Sequence, residues 1–197
     1  MDSTTPTKPN IYQPGIVTTD EFLSRELVPY TWLSPYEVTN LEQRKKLWKS
    51  AMEEAGASPG ETAIVLAQLM QETESGAGYD HLKDQATDGS RNFSNLNLNH
   101  GMLKNYGKLD EIYQGELTKL NDDENIGIIV QSLLFVMRQK GTDRYLYFVR
   151  GGRQGYNYAR TDHVRFALSI RKVANYLLEH PEYISNNMRV AHDIKWI

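Results

Sequence analysis

The sequence contains no cysteine, which removes disulfides, thiolate metal sites and a cysteine nucleophile from consideration at once. Redox compartment is left open. Long apolar runs are missing too, none approaching a membrane span, and the opening MDSTTPTKPNIYQPGIVTTDEF has neither a charged n-region nor an apolar h-region. A soluble protein is expected. Secretion is the favoured location, with the signal removed or replaced by an added Met; a cytoplasmic location stays open. Nor is there a strong excess of either charge: the net charge is -3 and the pI near 6.0, so neither nucleic acid nor an anionic membrane is expected as a partner.

Metal-binding patterns are absent as well. His81, His100, His163, His180 and His192 are scattered without zinc pairing. Asp80, Asp84 and Asp88 lack the alternate-residue ligands and closing Glu of a calcium loop. No metal and no cofactor is expected. Ser75, in ESGAG, follows no strand and so makes no nucleophile elbow. Internal repeats are not found.

What the chain does have is enough apolar material for a core. Its 197 residues are 40% hydrophobic, consistent with one folded domain over residues 21–197, preceded by a Thr- and Pro-rich extended arm over 1–20. Residues 39–55 put Leu41, Leu47, Trp48 and Ala51 on one face of an amphipathic helix stopped by Gly56. Ser58, Pro59 and Glu61 read as a capping box opening a second helix, apolar on every side from Ala63 to Met70 and therefore buried. The acidic NDDEN opening and the stop at Gly141 bound a third helix over 121–140. A fourth spans 161–180 and closes before Pro181. Between them, Asn95 to Asn99 alternates polar and apolar residues, which suggests a short strand or hairpin. The expected class is mainly α with a small β element (α+β).

The stretch QETESGAGYDHLKDQATDGSRNFSNLNLN, residues 71–99, gathers carboxylates and amides at the end of the buried helix. Glu72 there faces the core on one side and the negative end of the helix dipole on the other, and both disfavour a carboxylate. Its pKa should rise, as a general acid for glycosidic cleavage requires, while Asp80, Asp84 or Asp88 in the polar loop could supply the ionised partner. Glu74 competes for the acid's role from a more exposed position. The plain alternative is a solvated helix end. Asn95, Asn97 and Asn99, read as a strand, would share one face, where amides donate to and accept from sugar hydroxyls; a solvated strand face reads equally well. Arg150, Gly151, Gly152 and Arg153 read as a loop whose glycines allow close approach while its guanidiniums offer planar donors, or as a simple connector. Of the 12 tyrosines, Tyr106, Tyr156 and Tyr158 could stack on sugar rings, although most tyrosines are ordinary core or surface residues.

Glu72-Thr73 at an apolar helix end, Asp84, Asn92-Phe93, Asn97 with Asn99, and Gly101-Met102 together resemble the central block of glycoside hydrolase family 134, whose members are similar to lysozyme in fold. FVRGGRQGY, residues 148–156, resembles a later loop of that family more weakly. The resemblance covers about thirty residues plus this loop. It implies a single lysozyme-like catalytic domain and an inverting endo-hydrolase of β-1,4-linked mannan, with Glu72 as general acid and Asp84 as general base. The residues expected to bind the substrate are Asn92, Asn95, Asn97, Asn99, Arg150 and Tyr156. Inversion leaves room for a water between carboxylates roughly 6.5–9.5 Å apart. The chain departs from the family at Ser94, Asn97-Leu98 and His100, around the substrate-binding floor, so the sugar is less defined than the acid and base. A neutral polysaccharide is favoured over peptidoglycan because the chain lacks a basic surface. Peptidoglycan or chitin/chitosan cleavage is the enzymatic alternative, and a non-catalytic lysozyme-like carbohydrate-binding or structural protein the other. The expected state is a monomer.

Overall fold

The computed structural model describes residues 35–72, 92–157 and 161–192. The expected arm over 1–20 lies outside them. Mainly helical structure with small antiparallel ribbons is what the described residues form, in agreement with the expected class. No helix among them is long and apolar enough to cross a membrane.

A short strand β1 (Tyr36–Glu37) leads into α1 (Leu41–Glu54), whose buried face carries Leu41, Trp48, Ala51 and Met52. Gly56, at φ 70°, takes the left-handed turn that ends it. Then α2 (Pro59–Glu72) begins with the reciprocal cap expected from its sequence: Glu61 N–H donates to Ser58 Oγ (3.2 Å) and Ser58 N–H to Glu61 Oε2 (2.8 Å). Arg138 closes the same corner with two bonds to the Glu61 carboxylate and one to the Gly56 carbonyl. These bonds hold the Glu61 carboxyl below the usual range. From Thr62 to Met70 every residue of α2 is buried, so this helix is the axis of the core.

The hairpin β2 (Asn92–Phe93) and β3 (Leu98–Asn99) pairs Asn92 with Asn99 and Phe93 with Leu98. Two short helices follow, α3 (His100–Tyr106) and α4 (Leu109–Ile112). Next is α5 (Asp122–Lys140), capped by Asn121 Oδ1 accepting from Glu124 N–H (2.9 Å) and ended at Gly141. After it run α6 (Thr142–Asn157) and α7 (Thr161–Glu179). A 3-10 turn at Leu117–Lys119 precedes α5, and a second, Pro181–Ile184, with β4 (Met188–Arg189) completes the order. Because α2 is apolar on all sides, it packs most extensively against α7 while α1 covers another flank. A buried ion pair, Arg171 with Asp143, bolts α7 to the first turn of α6.

Two expectations are corrected. Residues 150–153, expected as an open loop or a connector, lie within the span of α6, where Gly152 (φ 56°, ψ -147°), in a conformation that L side chains rarely adopt, kinks the chain between two helical pieces. Asn95, Asn97 and Asn99 do not share a strand face, because Ser94 (φ 70°) and Asn97 (φ 53°) both turn left-handed and make residues 94–97 the bend of the hairpin. The alternation that suggested a strand arises because Leu96 and Leu98 are each fully buried from opposite sides of that bend.

Candidate functional site

Everything at the candidate site is organised by the last turn of α2. Gln68 and Glu72 are four residues apart and so lie one above the other on the same helix face. Opposite them stands the hairpin bend, which meets each with one consecutive residue. Gln68 Nε2 donates to the Leu96 carbonyl (2.6 Å), and Asn97 Nδ2 donates to Glu72 Oε2 (3.3 Å). These two rungs fix the bend against the helix end. The left-handed backbone at Asn97 turns its amide towards Glu72, a conformation that Asn tolerates better than most residues. Asn97 Oδ1 is buried without a partner among the described residues, so the side chain's hydrogen-bonding capacity goes one way, to the carboxylate.

Behind the first rung, Tyr145 of α6 donates its hydroxyl to Gln68 Oε1 (2.7 Å), and both side chains are fully buried. Burial pushes the Tyr145 hydroxyl above the ordinary range, and the charge of Glu72 pushes the same way. One and a half turns further along α6 is Arg150, half-buried, with its guanidinium 5.8 Å from the centroid of the Phe166 ring. Burial lowers its pKa, while the charges of Glu72 and Asp162 act to raise it. Glu72 is thus electrostatically coupled to a phenol and a guanidinium on one helix. The described part of the site holds a carboxylate that accepts from Asn97, with the Arg150 guanidinium and the buried Tyr145 phenol within its electrostatic reach.

The His163 ring of α7 fills the space where a side chain on Gly151 would be: a Cβ there would fall 2.1 Å from His163 Nε2. Gly155 is equally constrained, its Cβ position lying 2.0 Å from the Tyr147 carbonyl oxygen. Both glycines thus serve internal packing, letting α6 lie close to its own earlier turns and to α7.

Of the residues expected at the site, Glu72, Asn97 and Arg150 are brought together. Asn95 lies in the bend, its backbone N–H donating to the buried Asp122 carboxylate (2.8 Å). Asn99 caps α3, its Oδ1 accepting from Met102 N–H (3.2 Å). For Asn92 and Tyr156 the backbone is described, in β2 and in the final turn of α6 respectively. Asp80, Asp84, Asp88, Glu74 and Tyr158 lie outside the described residues, so the distance between Glu72 and Asp84 is not part of this geometry. Among the described residues no group of three or more His, Asp or Glu could hold a metal ion.

Sequence reasoning missed Gln68 and Tyr145. The signal for Gln68 was present, as a lone amide inside an otherwise apolar run. A polar side chain in a fully buried helix must find partners, and its partners are what the site is built on. No family model and no curated protein matches the chain.

Proposed function

We propose that the chain is a glycoside hydrolase of lysozyme-like architecture that cleaves a β-1,4-linked polysaccharide, with mannan as the favoured substrate. In this reading Glu72 is the general acid and Asp84 the general base of an inverting mechanism. The observation that carries the proposal is the rung from Asn97 to Glu72: a carboxylate at the end of the core helix, gripped by the hairpin bend and backed by the buried Tyr145–Gln68 pair. Such support from locked neighbours is what a catalytic carboxylate needs to be held at productive geometry. Protonating the glycosidic oxygen breaks the bond to the leaving sugar, and a water deprotonated by Asp84 attacks the opposite face of the ring.

A second reading is favoured by one observation. The Asn97 amide donates to Glu72 and the Arg150 guanidinium lies within its field, and donors of this kind suit a carboxylate that stays ionised and binds a hydroxyl. On that reading the protein holds carbohydrate without cutting it. The two are separated by product release from mannan, glucomannan, chitosan, chitin and peptidoglycan, run on wild type, Glu72→Gln and Asp84→Asn. Loss of acid–base assistance lowers the rate about 10²–10⁴-fold, and proton NMR of the first anomer released reports inversion. Wild type that binds a polymer without cutting any would establish the second reading instead.

A further inference from the structure

The C-terminal turn of α2 carries carbonyls that the helix itself leaves without intrahelical donors. They are met by Arg189 of β4, which is 4% exposed. Its Nε donates to the Met70 carbonyl and its Nη2 to the Gln71 carbonyl (3.3 Å), the two residues preceding Glu72. The remaining arm of the guanidinium, Nη1, donates to the Tyr36 hydroxyl (2.8 Å).

Arg189 is itself held in place from several directions. It pairs with Tyr36 across the β1–β4 ribbon. The chain just before it is gripped by the buried ammonium of Lys45, which donates to the carbonyls of Tyr183 (2.6 Å), Asn186 (3.0 Å) and Met188 (2.6 Å). Asn187 takes Val38 N–H on its carbonyl and Glu42 N–H on its side chain. Val190 N–H reaches the Met70 sulfur (3.3 Å). A planar fork mounted this firmly on one strand meets two successive carbonyls with its donors in fixed relative directions, where an ammonium would offer rotatable ones.

We infer that Arg189 is a positioning residue for Glu72: its guanidinium fixes the last turn of α2 and with it the direction in which the Glu72 side chain leaves the helix towards Asn97. The inference rests on the hydrolase reading for its catalytic consequence. Its structural half stands apart, because a cation at a helix C-terminus both bonds the last carbonyls and offsets the negative end of the dipole.

The test uses the full chain with Arg189→Met, Arg189→Lys and, as a control that removes only the contact pointing away from the helix, Tyr36→Phe. On the polymer that wild type cleaves, Arg189→Met lowers kcat on the order of 10- to 100-fold with KM nearly unchanged. Arg189→Lys recovers part of the loss and Tyr36→Phe matches wild type. Hydrogen exchange of the Gln71 and Glu72 amides quickens in Arg189→Met while the amide of Ile170, in the middle of α7, keeps its protection. Unchanged kcat with unchanged exchange at the α2 terminus overturns the inference, as does exchange that quickens equally at Ile170. Should Arg189→Met not fold, Arg189→Lys carries the decision: a kcat loss with KM held and local quickening supports the inference, wild-type behaviour in both overturns it. If wild type cleaves no polymer, the hydrolase reading has failed, and the exchange comparison still decides whether Arg189 fixes the turn that carries Glu72.

Discussion

The Tyr145–Gln68–Leu96 chain should behave as a coupled unit, and a double-mutant cycle measures that coupling. All three partners are fully buried, so each group stranded by a mutation costs about 1–3 kcal/mol. Tyr145→Phe strands the Gln68 acceptor and should destabilise by about 1–2 kcal/mol. Gln68→Leu strands two groups, the Leu96 carbonyl and the Tyr145 hydroxyl, for roughly 2–5 kcal/mol. In the double mutant the hydroxyl is no longer there to be stranded, so Tyr145→Phe introduced into the Gln68→Leu background should recover about 1–3 kcal/mol. The expected departure from additivity is about 2 kcal/mol or more, read from urea unfolding midpoints with the slope unchanged. Additivity within about 0.5 kcal/mol would refute the argument, because independent sites add to that tolerance and linked ones do not. Gln68→Leu should also loosen Asn97 from Glu72, since the two rungs share one bend.

Two further predictions concern charge and space. Burial pushes Lys45 down to about 8, with the charge of Glu42 opposing. The folded state therefore releases this proton before the unfolded chain does, and stability rises as pH climbs through about 8, the gain completing near the unfolded value of 10.5. Between pH 7.5 and 9.5 wild type should gain at most about 2 kcal/mol relative to Lys45→Met, measured by urea unfolding, and parallel profiles for the two would show that Lys45 is not the source. Above pH 10 Tyr145, held up by burial, acts with the opposite sign, which is why the window stops short of it. Gly155→Ala, whose new methyl would meet the Tyr147 carbonyl at 2.0 Å, should destabilise by about 3 kcal/mol or more, because backbone cannot yield as a flexible side chain does. Gly127→Ala, exposed in α5 with nothing within 4 Å, should stabilise by about 0.5–1 kcal/mol. Thermal unfolding of the pair shows whether the effects have opposite sign.

How far these features were legible in the sequence depends on whether their cause is local. The helices containing Trp48, Leu66, Leu133 and Phe166 announce themselves by apolar spacing and by caps such as Ser58 with Glu61, because those signals act within one or two turns. Glu72 was legible for the same reason, as the polar end of an apolar helix. The hairpin at Asn95 to Asn99 was legible, but the shared face of Asn95, Asn97 and Asn99 was not, because an alternating pattern does not distinguish a continuous strand from a bend over 94–97 followed by the short strand Leu98–Asn99. The stretch through Gly151 and Gly152 was read as a loop because glycine is unfavourable inside helices; the chain is kinked there only at Gly152, and the need for glycine at 151 comes from the His163 ring of another helix, which local sequence does not show. Arg189 and Lys45 gave no signal, since their partners lie more than a hundred positions away.

The clasp between α1 and the segment before β4 has a consequence for how the molecule is made. Lys45 finds its carbonyl partners at sequence separations of 138 to 143, and Arg189 reaches back 119 positions to Met70. During synthesis α1 and α2 therefore leave the ribosome long before the residues whose carbonyls accept from Lys45 of the one and whose guanidinium caps the other. Until then the ammonium stays hydrated and the terminus of α2 frays, so the pair waits in a loosened form while loop-closure entropy delays the final docking. Assembly from the amino end is thus provisional, and the arrival of residues 183–190 is the step that commits it.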